Sequence, residues 1–218
     1  WNWKAGGILN QSASFNGSTS KIDLNNTFAN NVTQQTWSAW AKFDNLNTQN
    51  FILFNENSGG GDGFGFFDYG NGNIYFQSDN TTNSNRGYIS NSGLYSINEW
   101  VHFTMVFDGT ATGNSNRLKA YVNGVALTLT IQGTIPATTN STSSTTQVGS
   151  RGGGISFSGS IDQVRIFNKA LSASEVTTLY NETSSTINTL QVLGDTSCVA
   201  AYPLGTNAND LSTSYNGT

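Results

Sequence analysis

The chain has 218 residues, a formal net charge of −4 and only 10% charged residues. Its Lys and Arg residues nowhere cluster, which excludes the basic footprint that duplex nucleic acid requires. No apolar run nears the ~18 residues of a membrane helix, so no membrane insertion is expected, and 13 Phe, eight Tyr and five Trp exclude a disordered chain.

Gly is abundant at 24 and Pro scarce at two, with Asn, Ser and Thr between the apolar segments. That composition suits strands joined by polar turns. At residues 36–43, Trp37, Ala39, Ala41 and Phe43 share one face and Trp40 takes the other. Residues 51–54 predict a short strand, followed by a turn-rich loop at 55–63. Residues 64–69 and 73–77 flank the turn at 70–72 and predict a hairpin, with another short strand at 88–90. Residues 100–107, WVHFTMVF, are the clearest strand. Val101, Phe103, Met105 and Phe107 share one face, and Trp100, His102, Thr104 and Val106 share the other.

A loop at 108–116 comes next. Strands at 118–122 and 125–131 flank Asn123 and Gly124, a pair suited to a type I′ turn because both positions need φ > 0. Residues 133–146 read as an irregular surface loop. Strands at 147–149 and 155–157 bracket an RGGG turn. In a strand at 161–167, Ile161, Gln163, Arg165 and Phe167 alternate with Asp162, Val164 and Ile166. Residues 172–180 carry the one good helix signal: Ser172 as cap, Glu175 three positions later, and Leu171 as an apolar staple. Residues 189–193 are strand-like within a Ser/Thr-rich linker. Residues 198–204 read as a strand whose Pro203 must sit at its edge or end. One short helix among many strands predicts an all-β fold, an antiparallel two-sheet sandwich with a short C-terminal helix.

The chemistry-bearing residues are few. Glu56, Glu99, Glu175 and Glu182 form no closely spaced acid motif of the kind glycoside hydrolysis uses. His102 is the sole histidine and lies inside a strand, where a structural role is expected. The GGGDGFG segment at 59–65 lacks the phosphate-loop pattern. Cys198 has no internal partner and reads as a buried thiol. These features predict a protein that is not an enzyme. Glycan binding would need an uncovered aromatic face beside amides or charges. Tyr69, Tyr88 and Tyr95 are candidates, with Asn57, Asp62, Asn83 and Arg86 on nearby loops, whereas Trp37, Trp40 and Trp100 are expected in the core.

Five segments carry a resemblance in order and spacing: SFNG at 14–17 with Ile22, TWSAWAKF at 36–43, WVHFTMVFDG at 100–109, LKAYVNG at 118–124, and residues 148–181. Across roughly residues 12–181 the chain resembles the laminin-G-like, concanavalin A-like lectin/glucanase superfamily, in its pentraxin-related branch. The resemblance implies a jelly-roll of two sheets packed face to face. It also implies a Ca²⁺ site at one edge of the sandwich, with Asp62, Asp68, Asp108 and Asp162 as candidate ligands. Asp162 matches an acidic position of the family's closing motif, although the dense acid clusters of pentraxin sites are missing.

The expected organisation is a domain at 1–183, a linker at 184–197, and a tail at 198–218 that resembles a first strand. That tail is expected to complete this sandwich, complete a neighbouring subunit, or open the next repeat. The resemblance further implies a structural or adhesive module, similar to modules in phage structural proteins. On that reading it is part of a virion fibre, capsid-attached or decoration protein, on the virion surface, contacting other copies of itself or other assembly proteins and recognising surface glycans. The alternative is a secreted or cell-surface bacterial adhesin with tandem glycan-binding domains. A third setting is an accessory module of a carbohydrate-active enzyme.

Overall fold

The computed structural model describes residues 1–218 apart from 9, 58–61, 79–84, 152–153, 183–192, 205–207, 210 and 212–218. The side chains of Asn10, Asn57 and Asp62 are also outside the description. In chain order the described elements are β1 (Asn2–Gly7), β2 (Asn10–Asn16), β3 (Ile22–Asp23), β4 (Gln34–Phe43), β5 (Asn50–Asn57), β6 (Asp62–Asp68), β7 (Asn73–Ser78), β8 (Arg86–Ser90) and β9 (Val101–Asp108). Then come α1 (Asn114–Arg117), β10 (Leu118–Val122), β11 (Val125–Leu127), β12 (Thr130–Gln132), β13 (Thr146–Val148), β14 (Ser158–Phe167), α2 (Ala173–Tyr180) and β15 (Cys198–Tyr202).

Two antiparallel sheets form. The first has the order β1-β2-β14-β4-β9-β10-β11, with β15 also pairing with β14, and the second has the order β12-β8-β7-β6-β5-β13-β3. The alternation in the sequence decides which faces meet. Trp37, Ala39, Ala41 and Phe43 of β4 and Val101, Phe103, Met105 and Phe107 of β9 point inward from the first sheet. Ile52, Leu53, Phe64, Phe66, Ile74 and Phe76 point inward from the second. Rings interdigitate across the gap: Trp37 meets Phe64 edge-on at 4.8 Å between centres. The fold is the expected all-β sandwich with α2 near the C-terminus.

The Asn123–Gly124 turn takes φ of 51° and 76°, as a type I′ connection requires, and joins β10 to β11 with Val122 opposite Val125. The sequence signal fails in several places, among them the expected strand at 155–157, where only an isolated bridge between Ser150 and Ser156 forms. Residues 125–131 are not one strand: β11 pairs with β10 in the first sheet, while β12 pairs with β8 in the second. The chain changes sheet at Thr128 and Leu129. Leu129 fills the space that Gly87 leaves, where an added Cβ would come within 2.6 Å of it.

In β14 the alternation breaks between Asp162 and Arg165, where the register shifts and Gln163 adopts φ of 47°. Ile161, Val164 and Ile166 therefore face the core, while Phe167 packs on the other side. Within the predicted loop at 108–116, a helical turn, α1, begins at Asn114. Strands β1 and β2 gave no clear alternation and were not anticipated as a pair.

Helix α2 forms with the full capping box: Glu175 N–H donates to Ser172 Oγ, and Ser172 N–H donates to Glu175 Oε2 at 2.8 Å. Its buried face, Val176 and Leu179, packs with Val106, Tyr121, Phe167, Leu171, Cys198 and Ala201 on the outer side of the first sheet. Strand β15 lies along β14, Val164 opposite Tyr202, and Ala200, Tyr202, Leu204 and Ala208 are buried in the main core. Pro203 follows the last strand residue, where no ladder hydrogen bond is lost.

Candidate functional site

The second sheet carries an unusual outer face. Phe51, Phe67, Tyr75 and Tyr88 stand directly opposite one another on β5, β6, β7 and β8. Their centres are 4.4, 5.5 and 5.2 Å apart and their planes within 28° of parallel. That spacing follows the ~4.8 Å between strands. Each stacked pair adds on the order of 0.5–1.5 kcal/mol beyond burial. Phe54 joins the row edge-on at 5.0 Å from Phe51. A bulge between Phe51 and Leu53 makes this possible by sending Ile52 and Leu53 both inward and Phe51 and Phe54 both outward.

The row is closed at one end and open at the other. Ile155 packs on the Phe51 end, and the Arg151 guanidinium lies 5.3 Å from the Phe51 centre. Exposure then rises along the row, from 1% at Phe51 and 2% at Phe67 to 7% at Tyr75, and Tyr88 is half-buried. Beside the open end Tyr69 is 40% exposed, its ring 5.5 Å from that of Tyr75. Because stacked rings cover each other's faces, the row presents edges. Free ring face is left at the Tyr88 end, beside the short side chain of Thr130, and at Tyr69.

A polar row runs parallel to the aromatic one: Gln77, Arg86 and Gln132 are register partners across β7, β8 and β12. Arg86 Nε donates to Gln132 Oε1 at 2.9 Å, and its guanidinium carbon lies 4.7 Å from the Tyr75 centre. Asn71 Nδ2 donates to Tyr75 Oη at 3.3 Å.

The structure thus brings Tyr69, Tyr88 and Arg86 together. Asn57 and Asp62 are register partners at the far end of the β5–β6 hairpin, their side chains outside the description, and Asn83 lies outside the described residues. Tyr95 is not a surface platform. It is buried against Phe43 and donates its hydroxyl to Asp68 Oδ2 at 2.6 Å. Trp37 is fully buried, but Trp40 and Trp100 are half-buried on the outside of the first sheet. Trp40 stacks on Tyr180 at 5.5 Å, and Trp100 donates its indole N–H to the Gly6 carbonyl at 3.0 Å. Tyr75, Gln77 and Gln132 were missed. Tyr75 was nonetheless legible, since it alternates with the core residues Ile74 and Phe76.

Three of the four candidate calcium ligands, Asp68, Asp108 and Asp162, serve local bonds. Asp68 is buried and accepts from the Gly70 N–H at 2.6 Å as well as from Tyr95, and burial raises its carboxyl above the ordinary range. Asp108 accepts from Gln34 and Thr110. Asp162 is buried, with Ile8 N–H donating to its Oδ2 at 2.7 Å and Gln163 N–H to its Oδ1 at 2.8 Å. Among the described residues no group of three His, Cys, Asp or Glu is placed to hold a metal ion. Glu56 lies 4.0 Å from Arg151, Glu182 meets Arg165, and Glu175, which caps α2, shares Lys169 with Asp195.

A laminin-G-type family model, described as the concanavalin A-like lectin/glucanases superfamily, matches residues 16–177. The chain belongs to this superfamily. No curated protein sequence matches it. Solved structures of the superfamily's fold align well. A candidate carbohydrate-binding protein of Bacteroides ovatus shares 15% identity at a TM-score of 0.67, covering 93% of this chain and 56% of that one. This chain therefore spans little more than half of that relative. A Ruminococcus gnavus sialidase module, CBM40, solved with α2,3-sialyllactose, shares 17% at 0.61, covering 82% and 100%. Domain 4 of the extracellular arabinanase AbnA of Geobacillus stearothermophilus, solved with arabinotriose, shares 21% at 0.53, covering 82% and 80%. At these identities the likeness establishes the fold.

Proposed function

We propose that this chain is a non-catalytic glycan-binding module that works outside the cell, and that the open end of the aromatic row is its binding surface. One observation carries the reading. Tyr88, half-buried, and Tyr69, 40% exposed, leave an aromatic edge open around the buried Tyr75, beside the side chains of Arg86 and Gln132. A sugar offers both surfaces such an edge needs: apolar C–H faces against a ring, and hydroxyls for amides and phenols. The superfamily fold and the sugar ligands of the Ruminococcus and Geobacillus modules support this reading. A secreted or cell-surface adhesive module is the setting we infer. None of the relatives named above is a virion protein, so the virion setting draws no support from them.

The test is a glycan array followed by calorimetry on the intact chain. Tyr88→Ala and Tyr69→Ala are each expected to weaken binding about tenfold or more, the equivalent of roughly 1.4 kcal/mol; Tyr88→Ala also loses its stack on Tyr75 and should lower the melting temperature by a few degrees while the chain stays folded. A folded chain that binds no glycan, or binding untouched by both substitutions, would overturn the assignment.

A further inference from the structure

Arg86 differs from the other three arginines in how its charge is used. Arg117 donates Nε and Nη1 to the carbonyls of Ala111 and Ile135. Arg165 meets Glu182, and Arg151 lies 4.0 Å from Glu56. Arg86 is pinned by its Nε bond to Gln132 and by the Tyr75 ring beneath it. Among the described residues its two terminal nitrogens take no protein acceptor, and no carboxylate stands within ion-pair range of it. The chain carries 13 acids against nine Lys and Arg, so carboxylates to neutralise this charge were plentiful. Instead the fork is oriented, half-buried and left open on the face already described.

We infer that this face selects glycans bearing a carboxylate, an acidic sugar of the uronic or sialic acid class, with Arg86 pairing that carboxylate through two parallel N–H···O bonds. The inference rests on the glycan-binding reading above and adds the chemistry of the sugar. A guanidinium and a carboxylate are both planar two-point groups, and a fork held in one plane loses little further freedom on pairing. Stacking on Tyr75 leaves the edge of the guanidinium for the ligand. Gln132, which accepts from Nε, keeps its amide N–H groups for the same sugar's hydroxyls.

The test uses matched pairs on the intact chain by calorimetry: a galacturonan oligomer against its carboxyl-reduced galactan, and α2,3-sialyllactose against lactose. At least one acidic member is expected to bind about tenfold tighter than its neutral partner. That advantage should shrink as salt rises from about 0.05 to 0.5 M. Arg86→Gln should remove the preference, weakening the acidic member about tenfold more than the neutral one. Arg86→Lys should recover only part of the preference. The pair that responds identifies the uronic or the sialic source. Equal binding within both pairs, or a preference that survives Arg86→Gln, overturns the carboxylate assignment and leaves the glycan reading standing. A folded chain that binds none of the four sugars counts against the glycan reading and takes this inference with it.

Discussion

The two sheets treat their outer faces in opposite ways. On the first sheet α2 covers the outside through an apolar patch, and the same outer face also buries a polar row. Arg165, Ser38 and Thr104 are register partners across β14, β4 and β9, all fully buried, with His102 one step along β9. Among the described residues, Ser38 Oγ, Thr104 Oγ1, Arg165 Nε, Glu182 Oε1 and both His102 nitrogens have no hydrogen-bond partner. On the second sheet the outer row is aromatic, and among the described residues no helix lies over its Tyr75–Tyr88 end. Burial alone would bring those polar groups out to water and cover the aromatic edge. On the proposed reading the open aromatic end is kept for a ligand, whereas the buried polar row of the first sheet is a cost the fold carries.

That contrast breaks most visibly at the buried ion pair of Arg165 and Glu182. Burial pushes the Glu182 carboxyl up, and the Arg165 charge pulls it back. Removing one partner strands the other in a dry layer, so Arg165→Ala is expected to cost about 3–5 kcal/mol in urea denaturation. Replacing both, Arg165→Met with Glu182→Leu, should recover most of that loss. A single substitution that proves nearly neutral would show the layer to be wet, and the two faces less different than described.

His102 gives the next effect, and it has a sign. Burial, with the nearby Arg165 charge adding to it, pushes its pKa down to about 3 from an ordinary 6.5. The folded protein therefore holds it neutral while the unfolded chain takes up a proton. Its contribution is fully present above pH 6.5 and is lost as pH falls from there towards 3. At most about 1.4 kcal/mol disappears per pH unit. His102→Leu should flatten the difference in stability between pH 7 and pH 4 without lowering stability at pH 7, since no hydrogen bond to the ring is lost. An unchanged pH slope in that variant would place His102 in water.

The contrast was only half legible in the sequence. Strict alternation fixed β4 and β9, both inward faces and hence the sandwich, because a period of two leaves one solution when one face is apolar. The capping box fixed α2 from Ser172, Glu175 and Leu171. The outer faces depend on bulges, which leave no period to read. Arg165 appeared to share a face with Ile161 until the bulge at Gln163 divided them. Residues 51–54 read only as a short strand, and it is the bulge at Ile52 that turns Phe51 and Phe54 outward. Tyr69, Tyr88 and Arg86 could be named as surface candidates, but only the register of β5 to β8 and β12 puts the last two beside Tyr75 and Gln132.

A smaller effect probes the aromatic side. Gly63 sits on β6 where an added Cβ would meet the Asn55 carbonyl oxygen at 2.3 Å and the Phe54 ring at 2.8 Å. Gly63→Ala is expected to cost about 1–3 kcal/mol by forcing Phe54 off its place against the row. It should also weaken glycan binding less than Tyr88→Ala does, because Phe54 belongs to the closed end. Equal losses in binding would mean that the row acts as one rigid unit and that its open end has no separate identity.

The smallest expected effect isolates the covered face. In Ser172→Ala, α2 loses the hydroxyl that accepts from Glu175 N–H and donates to Glu175 Oε2 at 2.8 Å. Loss of such a cap costs about 1 kcal/mol, a fall of roughly 2–4 °C in melting temperature for a chain of this size. The first turn of α2 loosens while its last turn keeps Tyr180 stacked on Trp40. Amide hydrogen exchange should therefore quicken at residues 173–176 and stay slow in β9. Glycan affinity should not change, because the binding row lies on the other sheet with the full apolar core between. If Ser172→Ala weakened glycan binding in step with its melting temperature, the two outer faces would be coupled through the core, and the division between a face that holds the fold and a face that meets the ligand would be lost.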